Sequence, residues 1–366
     1  MERGKAMVYG SFIGDSLALG VHWIYNVKAI EKRVGRIDDL IAPVVQTFHP
    51  GKAAGQLTHY GDQMLLLLRF CAERCAGEGT GSSGDSGVDA GGSGRSGGVG
   101  GAAGSASAAG RKEPGAVFDR SAFLRRWVGF MESYEGYMDK ASKATLANYR
   151  ELTGAGKEPS GEAAASASED LAGAGRIAPV LYFVGGSGRL RGEGRSGREG
   201  RNGGEGPSFR DDAVAAARAQ ASVTHNNPTV LESAAFFSDL VLGALDGVSP
   251  VERARELIET EYRDGAIAEL VRKGLESAEM DSTEAIAGFG QACSVEMGVP
   301  SVMHLIAAYE GDLKEALVAS CMAGGDSAAR NHAVGMILGA YRGVDDLPQK
   351  WFDSLEAGEE IERLLR

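Results

Sequence analysis

Apolar residues recur at helical spacing along most of the chain. The clearest runs are MLLLLRFCAERC (64–75), FLRRWVGFMESYEGYM (123–138), TVLESAAFFSDLVLGAL (229–245), VERARELIETEY (251–262) and IAELVRKGLESA (267–278). In each, large apolar side chains return every three or four positions, the period of one face of an α-helix. No run alternates apolar and polar residues in the two-residue period of a half-buried strand. The pattern predicts an all-α protein, a bundle of helices joined by surface loops. The first helix, AMVYGSFIGDSLALG (6–20), mixes large apolar side chains with Gly10, Ser11, Gly14, Ser16 and Ala18, so that neighbouring backbones can approach it from several sides.

Composition divides the 366 residues further. The chain has 54 glycines, about twice the usual share of roughly 7%. Most of the excess falls in tracts at about 76–115, 153–168 and 185–208, where Gly, Ser and Ala dominate. Such tracts bury too little surface to offset chain entropy and are expected to be disordered inserts in a single domain spanning 1–366. The net charge of −12 and pI near 5.1 leave no basic stripe for phosphates, which argues against a nucleic-acid partner. The start lacks a signal-peptide layout, and no apolar run approaches the roughly eighteen residues of a membrane helix. The expectation is a soluble, cytoplasmic protein that does not engage membranes. Four cysteines make no disulfide framework in a chain this long, and Cys71 and Cys75, a turn apart, read as thiols on a buried face.

Three acids stand out. Asp15 lies inside the small-residue helix, where a carboxylate needs a cation or a set of donors. Capping a neighbouring helix would also satisfy it. Asp62, after THYG, falls in a first helical turn, and Asp326, after Gly324 and Gly325, reads as the N-cap of the helix that follows. Carboxylates brought from separate helix termini to one point can also build a cation site.

The segments GSFIGDSLALGVHWIYN, THYGDQMLLLL, DLAGAGRIAPVLY, VTHNNPTVLESAAFFSDLVLGAL and AGGDSAARNHAVGMILGAY, in that order, resemble the ADP-ribosylglycohydrolase superfamily, in particular its branch of J-type crystallins and related selenoproteins. The resemblance implies an orthogonal multi-helix bundle around a cleft for ADP-ribose, and hydrolysis of a glycosidic bond in ADP-ribose, a related nucleotide-sugar or an ADP-ribosylated protein. It also implies a pair of magnesium ions held by a Thr-Asp-Asp-Thr box and an Asp-x-Asp-Thr box. Here the boxes read His59-Tyr60-Gly61-Asp62 and Asp326-Ser327-Ala328-Ala329. The surviving acids imply a weak or single magnesium ion at most, a degenerate metal site. His59 with Asp62 and Asp326 could instead hold one softer ion.

By the same resemblance Asp15, Asp62 and Asp326 carry the catalytic charge. His225 and Asn226 line the cleft, and Gly173, Gly175 and Arg176 form a loop on which ribose or nucleotide lies. His22 and Trp23 stand where active members place an acid that activates water. Arg330, four residues after Asp326, can pair with it on one helix face, neutralise it where metal charge is lost, or contact a pyrophosphate. A non-catalytic ADP-ribose-binding or crystallin-like structural protein remains the alternative.

Overall fold

The computed structural model describes residues 1–45, 48–79, 118–184, 208–345 and 347–366. The described residues form helices and loops, and strand-type pairing is confined to two isolated bridges, Ser166 with His225 and Asp170 with Ser294. In chain order the helices are α1 Arg3–Leu19, α2 Val27–Arg33, α3 His59–Gly79, α4 Arg120–Glu132, α5 Lys140–Gly154, α6 Gly161–Ala164, α7 Ala172–Gly175, α8 Ala178–Phe183 and α9 Phe209–Ala221. They continue with α10 Pro228–Leu245, α11 Pro250–Glu259, α12 Ala266–Glu276, α13 Ser282–Phe289, α14 Val295–Ala308, α15 Leu313–Met322, α16 Ser327–Arg342, α17 Gln349–Ser354 and α18 Gly358–Leu364.

The frame is the pair α1 and α16. Apart from Arg3 and Lys5, every residue of α1 is buried, and α16 is buried from Ser327 to Ala340. Glycines let the two backbones touch: a Cβ on Gly10 would sit 2.2 Å from the Gly335 carbonyl oxygen, one on Gly14 2.8 Å from that of Asn331, and one on Gly339 2.5 Å from that of Ala6. The contacts run 6 to 339, 10 to 335 and 14 to 331, so the helices are antiparallel. Around them pack α7, α10, α14 and α15 against α16, and α3, α8 and α15 against α1.

The helix α10 reaches 18 residues with mean hydropathy 1.3, long and apolar enough to cross a membrane. That corrects the expectation that no apolar run comes so close. It is a core helix here: 61% of it is buried inside the fold, and its Asp239 takes a two-pronged bond from Arg210 (2.5 and 2.7 Å) and one from Tyr262 (2.6 Å).

The tract at 153–168, expected to be disordered, is folded. Residues 153 and 154 end α5, and Ser160 caps α6 by accepting from the Ala163 N–H. Ser166 then donates its hydroxyl to the Thr224 carbonyl (2.6 Å) and its N–H to the same oxygen (3.2 Å). Small residues here serve close packing: a Cβ on Gly161 would meet Arg120 at 2.3 Å. The tract at 76–115 begins within α3, and the rest of it lies outside the described residues, as does 185–208 apart from Ser208, the N-cap of α9.

Candidate functional site

Three short segments meet at one end of the α1/α16 pair: the loop after α1, the first turn of α3, and the turn that opens α16. Gly324 (φ 71°) and Gly325 (φ 69°) occupy the left-handed region, which glycine enters without a Cβ penalty. A Cβ would also collide with the Ile24 carbonyl oxygen at 2.6 Å from Gly324 and with the Gln291 carbonyl oxygen at 2.2 Å from Gly325. The turn is stitched to the loop after α1 by Trp23 N–H to the Gly325 carbonyl and Gly325 N–H to the Ile24 carbonyl, both 2.9 Å. Trp23, at φ 62°, is the one non-glycine residue with positive φ among those described.

Each predicted acid has its own partners. Asp15, fully buried, accepts the Thr58 hydroxyl (2.6 Å), the Thr58 N–H (2.7 Å) and His332 Nε2 (2.8 Å). Thr58 in turn accepts from the Tyr60 and Gly61 N–H groups, so Asp15 anchors the cap of α3. Burial pushes the Asp15 carboxyl up, but the hydrogen bond and charge of His332 and the Thr58 donors outweigh it and hold the group below the usual carboxylate range. Asp62, in the first turn of α3 as expected, accepts Lys52 Nζ (2.8 Å) and the Tyr134 hydroxyl. Burial raises its pKa, and Lys52 and Tyr134 only partly offset this.

Asp326 caps α16 through the Ala329 N–H (3.3 Å), as the sequence predicts, and accepts His22 Nε2 at 2.9 Å. The Tyr60 hydroxyl lies 3.4 Å from its other oxygen, and the Cys293 thiol also donates to it. Burial pushes Asp326 up. His22, Cys293 and the Arg330 charge bring it below the usual range. Burial and the His22 charge lower the His49 pKa to about 3, and the charges of Asp15 and Asp326 only partly oppose this.

The Arg330 guanidinium does not bond to the Asp326 carboxylate. Its guanidinium donates to the carbonyls of Ser320 (2.9 Å) and Gly324, fastening the end of α15 to the glycine turn. These carbonyls have no helical partner, and a buried guanidinium satisfies them. Gly173 and Gly175 do not form the expected loop. They lie in α7, where a Cβ would meet His225 Cγ at 2.6 Å and the Ala329 carbonyl oxygen at 3.2 Å. Arg176 is buried and spends its donors on the Ala172 carbonyl, Gln63 Oε1 and the Thr224 hydroxyl. His225 is buried against the Thr224 hydroxyl (2.8 Å), and burial, with the Arg176 charge, pulls its pKa down to about 3. Asn226 is exposed and ties to Ser166 and Glu162.

His59 is not beside Asp62 and Asp326 as a shared ligand set. Its ring stacks among Tyr60 (4.0 Å between centroids), Trp23 (5.2 Å), Tyr137 (5.2 Å), His49 (5.4 Å) and His22 (5.9 Å). The nearest carboxylate oxygen to it is on Asp139, 3.6 Å from Nε2. Burial and the charges of His22 and His49 hold its pKa well below the ordinary value.

Magnesium asks for an octahedron of hard oxygens. Here an ammonium sits on Asp62, and imidazole nitrogens sit on Asp15 and Asp326. The residues do not fit the magnesium pair that the resemblance implies.

Two acids escaped the reading of the sequence. Asp139 caps α5, accepting from the Ser142 N–H (2.7 Å). Asp170 is half-buried at the bridge to Ser294; the next residue's N–H donates to the Cys293 carbonyl (2.7 Å), and the Cys293 thiol bonds Asp326. Burial raises the Asp170 pKa, its bond with Ser168 lowers it, and the nearby charges of Asp326, Asp139 and Glu169 raise it again, for a net rise. Both acids look like ordinary caps or turn residues in sequence, and Asp170 begins the segment DLAGAGRIAP. Tyr25 is 49% exposed, and burial of part of its ring raises its pKa, with the charges of Cys293, Asp326 and Asp170 adding to the rise and that of Arg330 opposing it.

An all-helical bundle with buried acids and histidines gathered at the end of its central helix pair is the class that the fold and the site define. The family model for ADP-ribosylglycohydrolase matches residues 1–366, and the chain belongs to that family. A solved structure described as an "ADP-ribosylglycohydrolase-related protein complex" superposes with a TM-score of 0.60 at 17% identity, over 100% of this chain and 95% of the other. At that identity the likeness concerns the fold. No curated protein sequence matches.

Proposed function

We propose that the chain hydrolyses a glycosidic bond of ADP-ribose, of a related nucleotide-sugar or of an ADP-ribosylated protein, without the binuclear magnesium centre. One observation carries the reading: the Asp170 segment is tied to Cys293 and Ser294 beside Asp326, and burial with neighbouring acids raises the Asp170 carboxyl while, against burial, His22 holds Asp326 low. Such a divided pair supplies an acid and a charge stabiliser at one pH.

Asp170, the acid whose pKa is raised, donates a proton to the leaving atom as the bond to the anomeric carbon breaks. The ionised Asp326 stabilises the oxocarbenium-like centre at a distance, through the field of its carboxylate. A water oxygen then bonds to the anomeric carbon, and its proton returns to Asp170. Tyr25 offers an exposed ring on which an adenine can stack. His225 and Asn226 remain candidates for orienting ligand beneath it.

The test is turnover of an ADP-ribosylated peptide and of ADP-ribosyl-arginine, with and without added magnesium. The reading expects equal rates under both conditions and a loss of about 100-fold or more in kcat for Asp170→Asn, in keeping with the weight of general acid catalysis. Magnesium-dependent turnover, or an Asp170→Asn variant at the wild-type rate, overturns it.

The engagement of Asp15, Asp62 and Asp326 by internal partners favours a second reading, a non-catalytic ADP-ribose-binding or crystallin-like structural protein. Calorimetric binding of ADP-ribose without turnover of any substrate selects it.

A further inference from the structure

Three imidazoles from separate segments come together at the same end of the α1/α16 pair: His22 from the loop after α1, His49 from the loop before α3, and His59 from the first turn of α3. One ligand nitrogen from each lies within 4.8 Å of the others, and all three residues are buried. His22 Nδ1 is 3.0 Å from His49 Nε2. In a tetrahedral zinc site with Zn–N near 2.0–2.1 Å, neighbouring nitrogens stand about 3.4 Å apart. The spacing needs only small adjustments to close on an ion.

We propose that His22, His49 and His59 form a binding site for a single soft divalent cation of the zinc class. The site shares Asp326 with the hydrolytic reading, but metal uptake tests it apart from turnover.

Hydrogen bonding supports the assignment. Neither ring nitrogen of His59 has a hydrogen-bond partner, although the residue is fully buried. A buried polar group is ordinarily paired, and an unpaired one calls for an explanation such as an ion. His22 donates its Nε2–H to the ionised Asp326 carboxylate, which fixes the tautomer and leaves the Nδ1 lone pair facing His49. That is the carboxylate–histidine–metal relay by which metal-bound imidazoles are oriented. His49 then donates its Nε2–H to His22. To ligate through Nε2 it moves that proton to Nδ1, so binding changes a tautomer and releases no proton.

The surroundings also suit a borderline ion better than magnesium. Imidazole nitrogens favour zinc, copper or nickel. Trp23, Phe48 and Tyr137 pack edge-to-face on one another, with centroids 4.7 to 5.4 Å apart, and Trp23 lies against His22 (4.5 Å) and Tyr137 edge-on to His59 (5.2 Å). The left-handed Trp23 holds the turn that presents His22, and strain of this kind gathers at ligand sites. A water or an oxygen of Asp326 or Asp139 completes four-coordination.

Untagged full-length protein, stripped with chelator, is titrated with Co²⁺ and then Zn²⁺. The expected result is one ion per chain, visible d–d absorption for four-coordinate Co²⁺, its loss when Zn²⁺ is added, and a higher melting temperature with Zn²⁺ than with Mg²⁺. His49→Gln and His59→Gln each abolish uptake. Asp326→Asn weakens it about 10- to 100-fold, as loss of an orienting carboxylate does. His304→Gln, on the separate helix α14, leaves uptake unchanged. Circular dichroism identifies any variant that fails to fold; His49, on a loop, then supplies the decisive comparison. No stoichiometric uptake by the wild type, or uptake undiminished in a folded His49→Gln chain, overturns the site.

Discussion

At the scale of single residues, stability rests on charges neutralised inside the fold. Asp15 has no solvent contact and binds three donors on α3 and α16. Removing one member of a buried pair leaves the other uncompensated, which costs on the order of 3–5 kcal/mol. Asp15→Ala is therefore expected to lower the unfolding free energy from urea titration by that amount, and a loss below about 1 kcal/mol would show that water reaches His332. Because the folded Asp15 pKa is depressed, its contribution is present above the ordinary carboxylate pKa of 3.8 and is lost as pH falls through the lower folded value.

The buried histidines act in a different window. His49 and His225 have folded pKa values of about 3, against 6.5 unfolded. Between those values the unfolded chain binds protons that the folded chain does not, so stability rises with pH and falls on acidification below 6.5. The slope is at most about 1.4 kcal/mol per pH unit for each histidine. Urea unfolding between pH 7.5 and 5 is expected to show that decline, and His225→Asn to make it shallower by about one proton. An unaltered slope in that variant would mean that His225 is protonated in the fold.

At the scale of elements, glycine decides how near α1 and α16 lie. Gly335→Ala places a methyl about where the Gly10 carbonyl stands, 2.1 Å away. Overpacking of a rigid contact costs roughly 1–3 kcal/mol or more, and a separation of the two helices would carry Asp15 away from His332. Gly129, in α4, has nothing within 4 Å of a built Cβ. There Gly129→Ala should stabilise by up to about 1 kcal/mol through helix propensity. Opposite signs in thermal melts of the two variants would separate close approach from propensity.

At the scale of the molecule, the family fold is retained around altered site chemistry. The whole chain matches the ADP-ribosylglycohydrolase family, yet its carboxylates are bonded to histidine, lysine and tyrosine where magnesium would require free oxygens. ADP-ribose is therefore expected to raise the melting temperature equally with and without magnesium. At about 100 times its Kd it adds about 2.7 kcal/mol. Tyr25→Ala should reduce the shift by weakening ligand stacking while leaving the unliganded melting temperature within about 1 °C, because the ring is half exposed. A shift only when magnesium is present would return the family's metal centre to this chain.

The sequence alone determined the helical class, the cap at Asp326, the place of Asp62 in a first turn and the family, because periodicity and capping are written within a few neighbouring residues. Its reading of 153–168 as disordered failed because small residues packed against Arg120 and Thr224 are indistinguishable, by composition, from a loose linker. Only the tertiary structure decided which group faces which acid. Arg330 is four residues from Asp326 yet turns to the carbonyls of Ser320 and Gly324, while the partner of Asp326 is His22, 304 positions away. The meeting of His22, His49 and His59, and the tie of the Asp170 segment to Cys293 and Ser294, likewise depend on contacts between segments far apart in the chain. The cost of burying a charge is met by whatever donor the packing brings near, and local sequence does not encode that choice.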